Sequence, residues 1–208
     1  MEPTTNTPHT SPDYFRSDVP AGVSGLWVIE KVEITERPYD PTTDARPDCF
    51  KFRAGTYTSL RRGPEQFMTD LYDEWYTQRD GIAEALARGG DVVITGLGIG
   101  MVAEAILRPP DSRVGHVTIV EFSEDVINLV APFLHERYPG RIDVVHADAL
   151  TWEPPAGSRF TVAWHDIWPN PHAPEVIPEM DLLTERYSQW CDWVGFWPKT
   201  YFAAERET

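Results

Sequence analysis

The segment Asp91–Met101 constrains the fold of this chain most, because an apolar run leads directly into three glycines at alternate positions. These are Gly96, Gly98 and Gly100. Glycine has no Cβ and tolerates positive φ, so the backbone can turn sharply after a strand and admit a ligand close to the main chain. Met101–Leu107 has the pattern of a helix whose first amides would face that ligand. The segment therefore predicts a strand, a turn that binds a nucleotide-like ligand, and a helix.

The spacing of the glycines disfavours two common nucleotide sites. A dinucleotide fingerprint needs its third glycine one position later, where this chain has Met101. A P-loop needs a Lys followed by Ser or Thr after the glycines, and neither follows here. NAD is therefore disfavoured, and a turn that binds no ligand is the alternative.

Three later apolar runs each end close to a carboxylate. The runs and their carboxylates are His116–Glu121 with Glu121, Ile142–His146 with Asp148, and Phe160–Trp164 with Asp166. A strand that ends in Glu121 suits a ribose diol, because a carboxylate accepts two hydrogen bonds from vicinal hydroxyls. Asp148 suits an amine donor such as adenine N6. A single carboxylate could cap the next helix, but three in register indicate one binding edge of a parallel sheet.

From about Gly63 to Pro169 the chain resembles class I S-adenosylmethionine-dependent methyltransferases, and it is most similar to their spermidine synthase-like branch. Besides the glycine turn, the resemblance is carried by 69–75 (TDLYDEW), 117–127 (VTIVEFSEDVI) and 147–149 (ADA). The chain also looks like phage-encoded members through 55–58 (GTYT) and 165–169 (HDIWP). The resemblance implies an α/β Rossmann-like fold with a mainly parallel sheet, S-adenosyl-L-methionine as cofactor, and a transferase activity.

The resemblance also implies roles for single residues. The implied cofactor-binding residues are Gly96, Leu97, Gly98, Gly100, Glu121, Phe122, Asp148 and Ala149. Among them, the glycines would line the methionine part, Glu121 would hold the ribose hydroxyls and Asp148 the adenine amine. Asp166 matches the first acidic residue of the aminopropyltransferase loop, which takes a proton from the attacking amine. No metal site is implied.

Two departures from that branch bear on the reaction. Ile99 stands where the synthases have an acidic residue among the glycines, and no second aspartate follows Asp166 in its loop. A diamine carries two positive charges that need carboxylate partners in a partly desolvated pocket. We therefore predict methyl transfer to a small molecule, with Asp166 as the base and His165 as the second candidate. A structural role is the alternative for His165, and aminopropyl transfer or a non-catalytic binding protein are the alternatives for the chain.

Composition limits the partners. The net charge of −15 disfavours nucleic acid, because a protein that grips a phosphate backbone needs clustered Lys and Arg. Cys49 and Cys191 lie far apart and form no disulfide framework or metal-binding cluster. No apolar stretch approaches the ~20 residues that span a bilayer, and the first residues lack a signal peptide's pattern. These features predict a cytoplasmic protein with a small-molecule substrate.

The organisation along the chain falls into three parts. Residues 1–22 are rich in Pro, Thr, Ser and Asp and are predicted to be a disordered tail. Residues 23–62 are predicted to be a small β-element, and residues 63–208 the Rossmann-like S-adenosylmethionine-binding domain. The apolar runs of the β-element are Leu26–Ile34, Phe50–Phe52 and Tyr57–Leu60.

Apolar spacing predicts the remaining elements of the larger domain. The predicted helices cover 65–88, 123–138 and 175–191, and 193–197 is predicted to be a fifth strand. The resemblance implies that the β-element covers the active site and supports a homodimer. It also makes Tyr57 and Gln66 candidate contacts of the cofactor or substrate.

Overall fold

The computed structural model describes residues 14–35 and 54–206. The first sheet in this part of the chain is antiparallel, with the strand order β1-β2-β3-β4. Its strands are β1 (Gly22–Ser24), β2 (Trp27–Ile34), β3 (Gly55–Arg62) and β4 (Glu65–Thr69). The predicted β-element is present, although the run Phe50–Phe52 lies outside the described residues.

A second sheet with flanking helices follows. Its elements are α1 (Tyr72–Thr77), α2 (Arg79–Arg88), β5 (Gly90–Thr95), α3 (Met101–Leu107), β6 (Val114–Glu121), α4 (Glu124–Arg137), β7 (Ile142–His146), β8 (Val162–His165), α5 (Val176–Tyr187), β9 (Val194–Phe196) and α6 (Trp197–Arg206). The strand order is β7-β6-β5-β8-β9, and every described pairing is parallel. The α/β Rossmann-like fold with a parallel sheet is therefore confirmed.

Local sequence accounts for the central elements. The last four residues of β5 are all buried, as expected for a parallel strand that is covered on both faces. Ser123 caps α4 by accepting a hydrogen bond from the Val126 amide at 3.4 Å. Glu124 and Asp125 in the first turn complement the helix dipole. The predicted helix over 123–138 is confirmed.

The predicted helix over 65–88 is wrong for its first residues. The chain turns at Gly63, where φ is 58°, and Glu65–Thr69 returns as β4 beside β3, with Met68 opposite Leu60. Helix begins only at Tyr72. Apolar spacing alone missed this, because pairing with β3 gives the β4 backbone its hydrogen bonds and overrides the local pattern.

The last part of the segment predicted to be disordered is packed. Val19 is buried, and the Ser17 amide donates to Asp70 Oδ2 at 2.8 Å. The Thr58 amide donates to the other oxygen of Asp70 at 2.7 Å, and the Tyr14 hydroxyl donates to the Asp70 carbonyl oxygen. Asp70 therefore ties residues 14–19 to β3, while residues 1–13 lie outside the described residues.

The structure also bears on two predictions about membrane spans and cysteines. Within 14–35 and 54–206, no helix is both long and apolar enough to cross a bilayer. Cys191 is a buried free thiol at the end of the loop after α5, and burial raises the pKa of this thiol to about 12. The thiol is therefore protonated at neutral pH and is a packing group rather than a nucleophile.

Candidate functional site

A cavity opens where the strand order reverses, between the carboxyl ends of β5 and β8. Open parallel sheets bind ligands at such a point, because the loops that leave the two strands diverge. The Asp166 amide donates to the Thr95 carbonyl oxygen at 2.9 Å and holds the two loops together. The cavity has a volume of about 480 Å³, within the range of small-molecule sites. The predicted site residues that line it are Gly96, Leu97, Gly98, Gly100, Glu121, Phe122 and Asp166.

Asp148 and Ala149 do not line this cavity. Asp148 Oδ1 accepts from the Leu150 amide at 2.9 Å, and its carbonyl oxygen accepts from the Trp152 amide at 2.8 Å. Ala149 is buried, and its carbonyl oxygen accepts from the Tyr187 hydroxyl. Asp148 thus organises the turn after β7, and its role toward an adenine amine stays a prediction.

His165 faces the core rather than the cavity. Its ring packs edge-on against Tyr187 at 4.5 Å and stacks on Phe196 at 5.1 Å between centroids. Its Nδ1 shares a hydrogen bond of 2.8 Å with the Thr95 hydroxyl. Complete burial lowers the pKa of His165 to about 3, so the imidazole is neutral at physiological pH. The structure therefore gives no support to His165 as a base and favours the structural alternative.

The glycine turn makes room mainly for other parts of the protein. Gly96, Gly98 and Gly100 have φ values of 90°, 50° and 75°, which strongly favour glycine. A Cβ at Gly96 would collide with the carbonyl oxygen of Asp166, and one at Gly100 would lie 3.0 Å from a methyl group of Leu134. At these two positions the missing Cβ leaves space for other atoms of the protein. This differs from the prediction from sequence, in which these glycines allow the close approach of a ligand.

Gly98 differs, because its neighbour is the flexible end of a side chain. A Cβ there would collide with the sulfur of Met68, which reaches the turn from β4. The Ile99 amide donates to this sulfur at 3.3 Å. Thioether sulfur is a weak acceptor, and a methionine side chain rearranges easily. A ligand that lies against Gly98 therefore has to displace the Met68 side chain.

Glu121 is fixed at the end of β6 by two backbone amides. Its Oε2 accepts from Leu97 in the glycine turn at 2.8 Å, and its Oε1 accepts from Ser123 at 2.7 Å. A carboxylate has about four acceptor sites, so about two are left for other donors. An oriented carboxylate with this spare capacity fits a vicinal diol.

A second carboxylate, Glu74, enters the cavity beside Asp166. Burial raises the pKa of Glu74 to about 8, with further increases from Asp166 and Asp73. Burial likewise raises the pKa of Asp166 to about 7, against the lowering effect of a hydrogen bond from Gln78 and with a further increase from Glu121. Sequence reasoning noted the acidic segment 69–75 but did not assign Glu74, because the segment's contact with the loop after β8 is not visible from local spacing.

Glu74→Gln should make the protein more stable at high pH. Because the folded-state pKa of Glu74 lies near 8 and its ordinary value is 4.5, the folded state holds this proton more tightly. The contribution of Glu74 to stability therefore falls as pH rises from about 4.5 to 8. We expect the melting temperature of the variant to exceed that of the wild type by a few degrees at pH 8, and to match it near pH 4.5.

Thermal melts at a series of pH values check this expectation. Glu153→Gln is the matched control, because the Glu153 side chain is 73% exposed and lies away from the cavity. A pH-independent difference between Glu74→Gln and the wild type would contradict the proposed burial effect.

Aromatic side chains form part of the cavity wall. Trp168 in the loop after β8 and Trp197 at the start of α6 line the cavity, and Trp27 and Phe67 line it from the first sheet, with ring centroids 4.7 Å apart. Trp164 lies in the hydrophobic core and Trp190 and Trp193 pack against the core, and none of these three tryptophans lines the cavity. The first sheet therefore contributes to the cavity, as the resemblance implied.

Tyr57 and Gln66, the predicted contacts from the first sheet, do not line the cavity. Tyr57 is buried and stacks under the Arg16 guanidinium at 4.2 Å, away from the cavity. Gln66 is exposed and pairs with Arg61 along the hairpin. Their places at the cavity are taken by Phe67 and Met68, one and two residues further along β4.

The chain has partial structural similarity to several solved proteins. No protein-family profile matches the chain, and no curated protein does. Three similar solved structures are a spermidine synthase from Thermotoga maritima (18% identity, TM-score 0.43, covering 70% of this chain and 46% of that one), the 23S rRNA methyltransferase ErmE (23%, 0.39, 55% and 41%) and the cyclase SpnF (24%, 0.37, 45% and 34%).

This chain spans less than half the length of each of these three proteins. Their names describe three different activities, and one fold supports many chemistries. The Rossmann-like fold is assigned from the strand order and parallel pairings of this chain, and the reaction has to be inferred from the cavity itself.

Proposed function

We propose that the protein is an S-adenosylmethionine-dependent methyltransferase that acts on a small molecule. The observation that carries this proposal is the Glu121 carboxylate, held by the Leu97 and Ser123 amides at the mouth of a glycine turn. It lies at the edge of the sheet where nucleotide-type ligands bind in this class of fold. The branch and the phage-type likeness stay predictions.

The charge of the cavity supports S-adenosylmethionine as the cofactor. When bound, S-adenosylmethionine would supply a methyl group on a positively charged sulfur. Glu121 and the ionised form of Asp166 give the cavity negative charge that attracts such a cation, and Glu74 adds to it only above its raised pKa of about 8. Glu121 would hold the ribose hydroxyls, and the backbone at Gly98 would receive the methionine part after Met68 moves.

Asp166 is the residue we assign to the proton of the acceptor. Methyl transfer is an in-line displacement, so much of the rate comes from positioning, and a base is needed only when the nucleophile carries a proton. Since the pKa of Asp166 is raised to about 7, its carboxylate is a stronger base than an ordinary aspartate. It can therefore accept a proton near neutral pH.

Aminopropyl transfer is the second candidate, and Glu74 favours it. The sequence lacks a second aspartate in the loop after β8, but Glu74 from α1 lies close enough to Asp166 to raise its own pKa. Two neighbouring carboxylates can pair with a cationic amine, which weakens the objection based on the loop alone. This pairing makes an amine the first acceptor to test.

An acceptor screen tests the proposal. The protein is incubated with S-adenosylmethionine labelled in its methyl group and with monoamines, diamines, phenols and carboxylic acids in turn. Mass spectrometry of the products shows whether a methyl group was transferred, and a parallel set with the decarboxylated cofactor detects aminopropyl products. A labelled product that depends on the protein supports methyl transfer. Bound cofactor without any product would favour the non-catalytic alternative.

Met68→Ala should increase affinity for the cofactor. Met68 occupies the space beside Gly98 and its sulfur accepts the Ile99 amide, so a ligand has to reorder this side chain. Ordering one long side chain costs about 0.5–1.5 kcal/mol, so removing it should lower Kd roughly two- to tenfold. Calorimetry with S-adenosylhomocysteine measures the change.

Met68→Leu is the matched control for that experiment. Leucine keeps a similar volume but lacks the sulfur acceptor. If steric occupation decides the affinity, Met68→Leu binds like the wild type; if the Ile99 amide decides it, Met68→Leu binds like Met68→Ala. A weaker affinity in Met68→Ala would contradict displacement and make Met68 a cofactor contact.

A further inference from the structure

A buried amide connects the cavity to the core at the junction of α1 and α2. Gln78 lies between the two helices and is fully buried. Its Nε2 donates to Asp166 Oδ2 at 2.7 Å, and its Oε1 accepts from the indole Nε1 of Trp164 at 2.7 Å. Trp164, Gln78 and Asp166 thus form one hydrogen-bonded chain from the core to the cavity.

The orientation of the Gln78 amide is fixed by chemistry. The two ends of an amide group have nearly the same shape, so their assignment rests on their partners. An indole N–H can only donate, and the end that faces Trp164 has to be the oxygen. The NH2 group therefore faces Asp166 and presents a donor that cannot be exchanged for an acceptor without breaking the bond to Trp164.

Trp164 is itself held firmly. Its side chain is 1% exposed and stacks on Trp193, with ring centroids 6.3 Å apart and planes 6° apart. It also lies directly on α2 at Gly81, where a Cβ would collide with the indole. Glycine inside a helix costs about 1 kcal/mol relative to alanine. The close packing of the Trp164 indole on α2 explains why position 81 is a glycine.

We propose that Gln78 is the positioning residue for Asp166, and that Trp164 holds the Gln78 amide in its donating orientation. This inference rests on the proposed role of Asp166 as the base. Because the Gln78 NH2 donates to Oδ2, a proton from the acceptor would go to Oδ1. The acceptor's lone pair would form the new bond to the transferred carbon while the bond from that carbon to the donor's sulfur breaks, and sulfur would keep that electron pair.

The surroundings of Asp166 explain why a fixed donor matters there. Glu74 from α1 and Glu121 from β6 face it, and both are acidic. Burial and the charge of Glu121 oppose the ionised form of Asp166, whereas the hydrogen bond from Gln78 favours it. The Gln78 hydrogen bond therefore lowers the pKa of Asp166, which burial and Glu121 raise. It increases the fraction of Asp166 that is ionised and available as a base.

Carbon-13 NMR titration of the aspartate carboxyl groups tests the proposal in the protein without cofactor. Asp166→Asn identifies the Asp166 resonance. Gln78→Met keeps the length of the side chain but removes the donor, so the Asp166 midpoint should rise by about one pH unit from its value of about 7, which lowers the ionised fraction at pH 7 roughly fivefold. Trp164→Phe frees the amide and should give a smaller rise.

Gln78→Glu is a second variant that tests the proposal if Gln78→Met does not fold. Glutamate can still accept from Trp164, but it places a second carboxyl oxygen against Asp166 Oδ2, so the midpoint should rise further. Unchanged Asp166 midpoints in folded Gln78→Met or Gln78→Glu would overturn the proposal. An unchanged midpoint in Trp164→Phe would overturn the role of Trp164.

Turnover gives a second readout that a purely structural role would not move. If Gln78 acts through the ionisation of Asp166, the lower kcat of Gln78→Met is recovered when the pH is raised by about one unit, with KM little changed. General damage to the fold would not be recovered in this way. Failure of the proposed cofactor would be seen in calorimetry, whereas the titration of Asp166 proceeds without any cofactor.

Discussion

Glu121→Ala is expected to weaken S-adenosylmethionine binding by at least about 100-fold, because two hydrogen bonds to a charged acceptor are lost at 1.5–3 kcal/mol each. Calorimetry measures the change directly. The same carboxylate also accepts from the amides of Leu97 and Ser123. We therefore expect a lower melting temperature as well, with the parallel sheet retained.

Separating these two effects requires a control and a fold readout. Glu124→Ala removes an exposed carboxylate from the first turn of α4, three residues further on and outside the cavity lining. It should lower stability slightly and leave affinity unchanged. Circular dichroism shows whether Glu121→Ala keeps its secondary structure. Unchanged affinity in a folded Glu121→Ala protein would contradict the ribose assignment.

Asp166→Asn is expected to slow transfer by about 10²–10⁴-fold, the usual contribution of a general base. Asparagine keeps an oxygen that can accept from Gln78, so the loop after β8 should hold its shape. Cofactor affinity should change little. Single-turnover kinetics with a labelled methyl group measure the rate, and calorimetry measures the affinity.

Asp181→Asn, on an exposed position of α5, is the control for the loss of one negative charge. If Asp166→Asn unfolds the protein, Asp166 is a structural residue. If it folds, binds the cofactor and transfers at the wild-type rate, the nucleophile does not need this base and positioning alone accounts for the reaction.

The central sheet was predictable because its signals are local. Each of β5, β6 and β7 is a short apolar run, and Glu121 stands at the end of its own strand. Parallel strands bring their carboxyl ends to one edge, so the meeting of Glu121 with the glycine turn follows from the run order. In the structure Glu121 and the glycine turn line the same cavity, and their role toward a cofactor stays a prediction.

The features that were missed depend on contacts between distant segments. Met68 reaches Gly98 only because Glu65–Thr69 pairs with β3 instead of continuing as helix, and local apolar spacing does not reveal that pairing. Glu74 becomes a site residue only because α1 packs beside the loop after β8. Such long-range placements leave no mark in a short window of sequence.

His165 and Asp166 show a second limit of sequence reasoning. Successive side chains of a strand point to opposite faces, so two adjacent candidates at a strand end cannot both enter the same cavity. The sequence does not reveal which of the two faces inward. Here His165 lies against Tyr187 and Phe196, and Asp166 lines the cavity.

Isothermal titration calorimetry with S-adenosylmethionine, S-adenosylhomocysteine, the decarboxylated cofactor and NAD tests the central claim most directly. We predict micromolar binding of the first two and no binding of NAD, since the glycine spacing disfavours a dinucleotide. Preference for the decarboxylated form would favour aminopropyl transfer, as Glu74 beside Asp166 permits. Absence of binding for all four would contradict the account and leave the glycine turn as architecture alone.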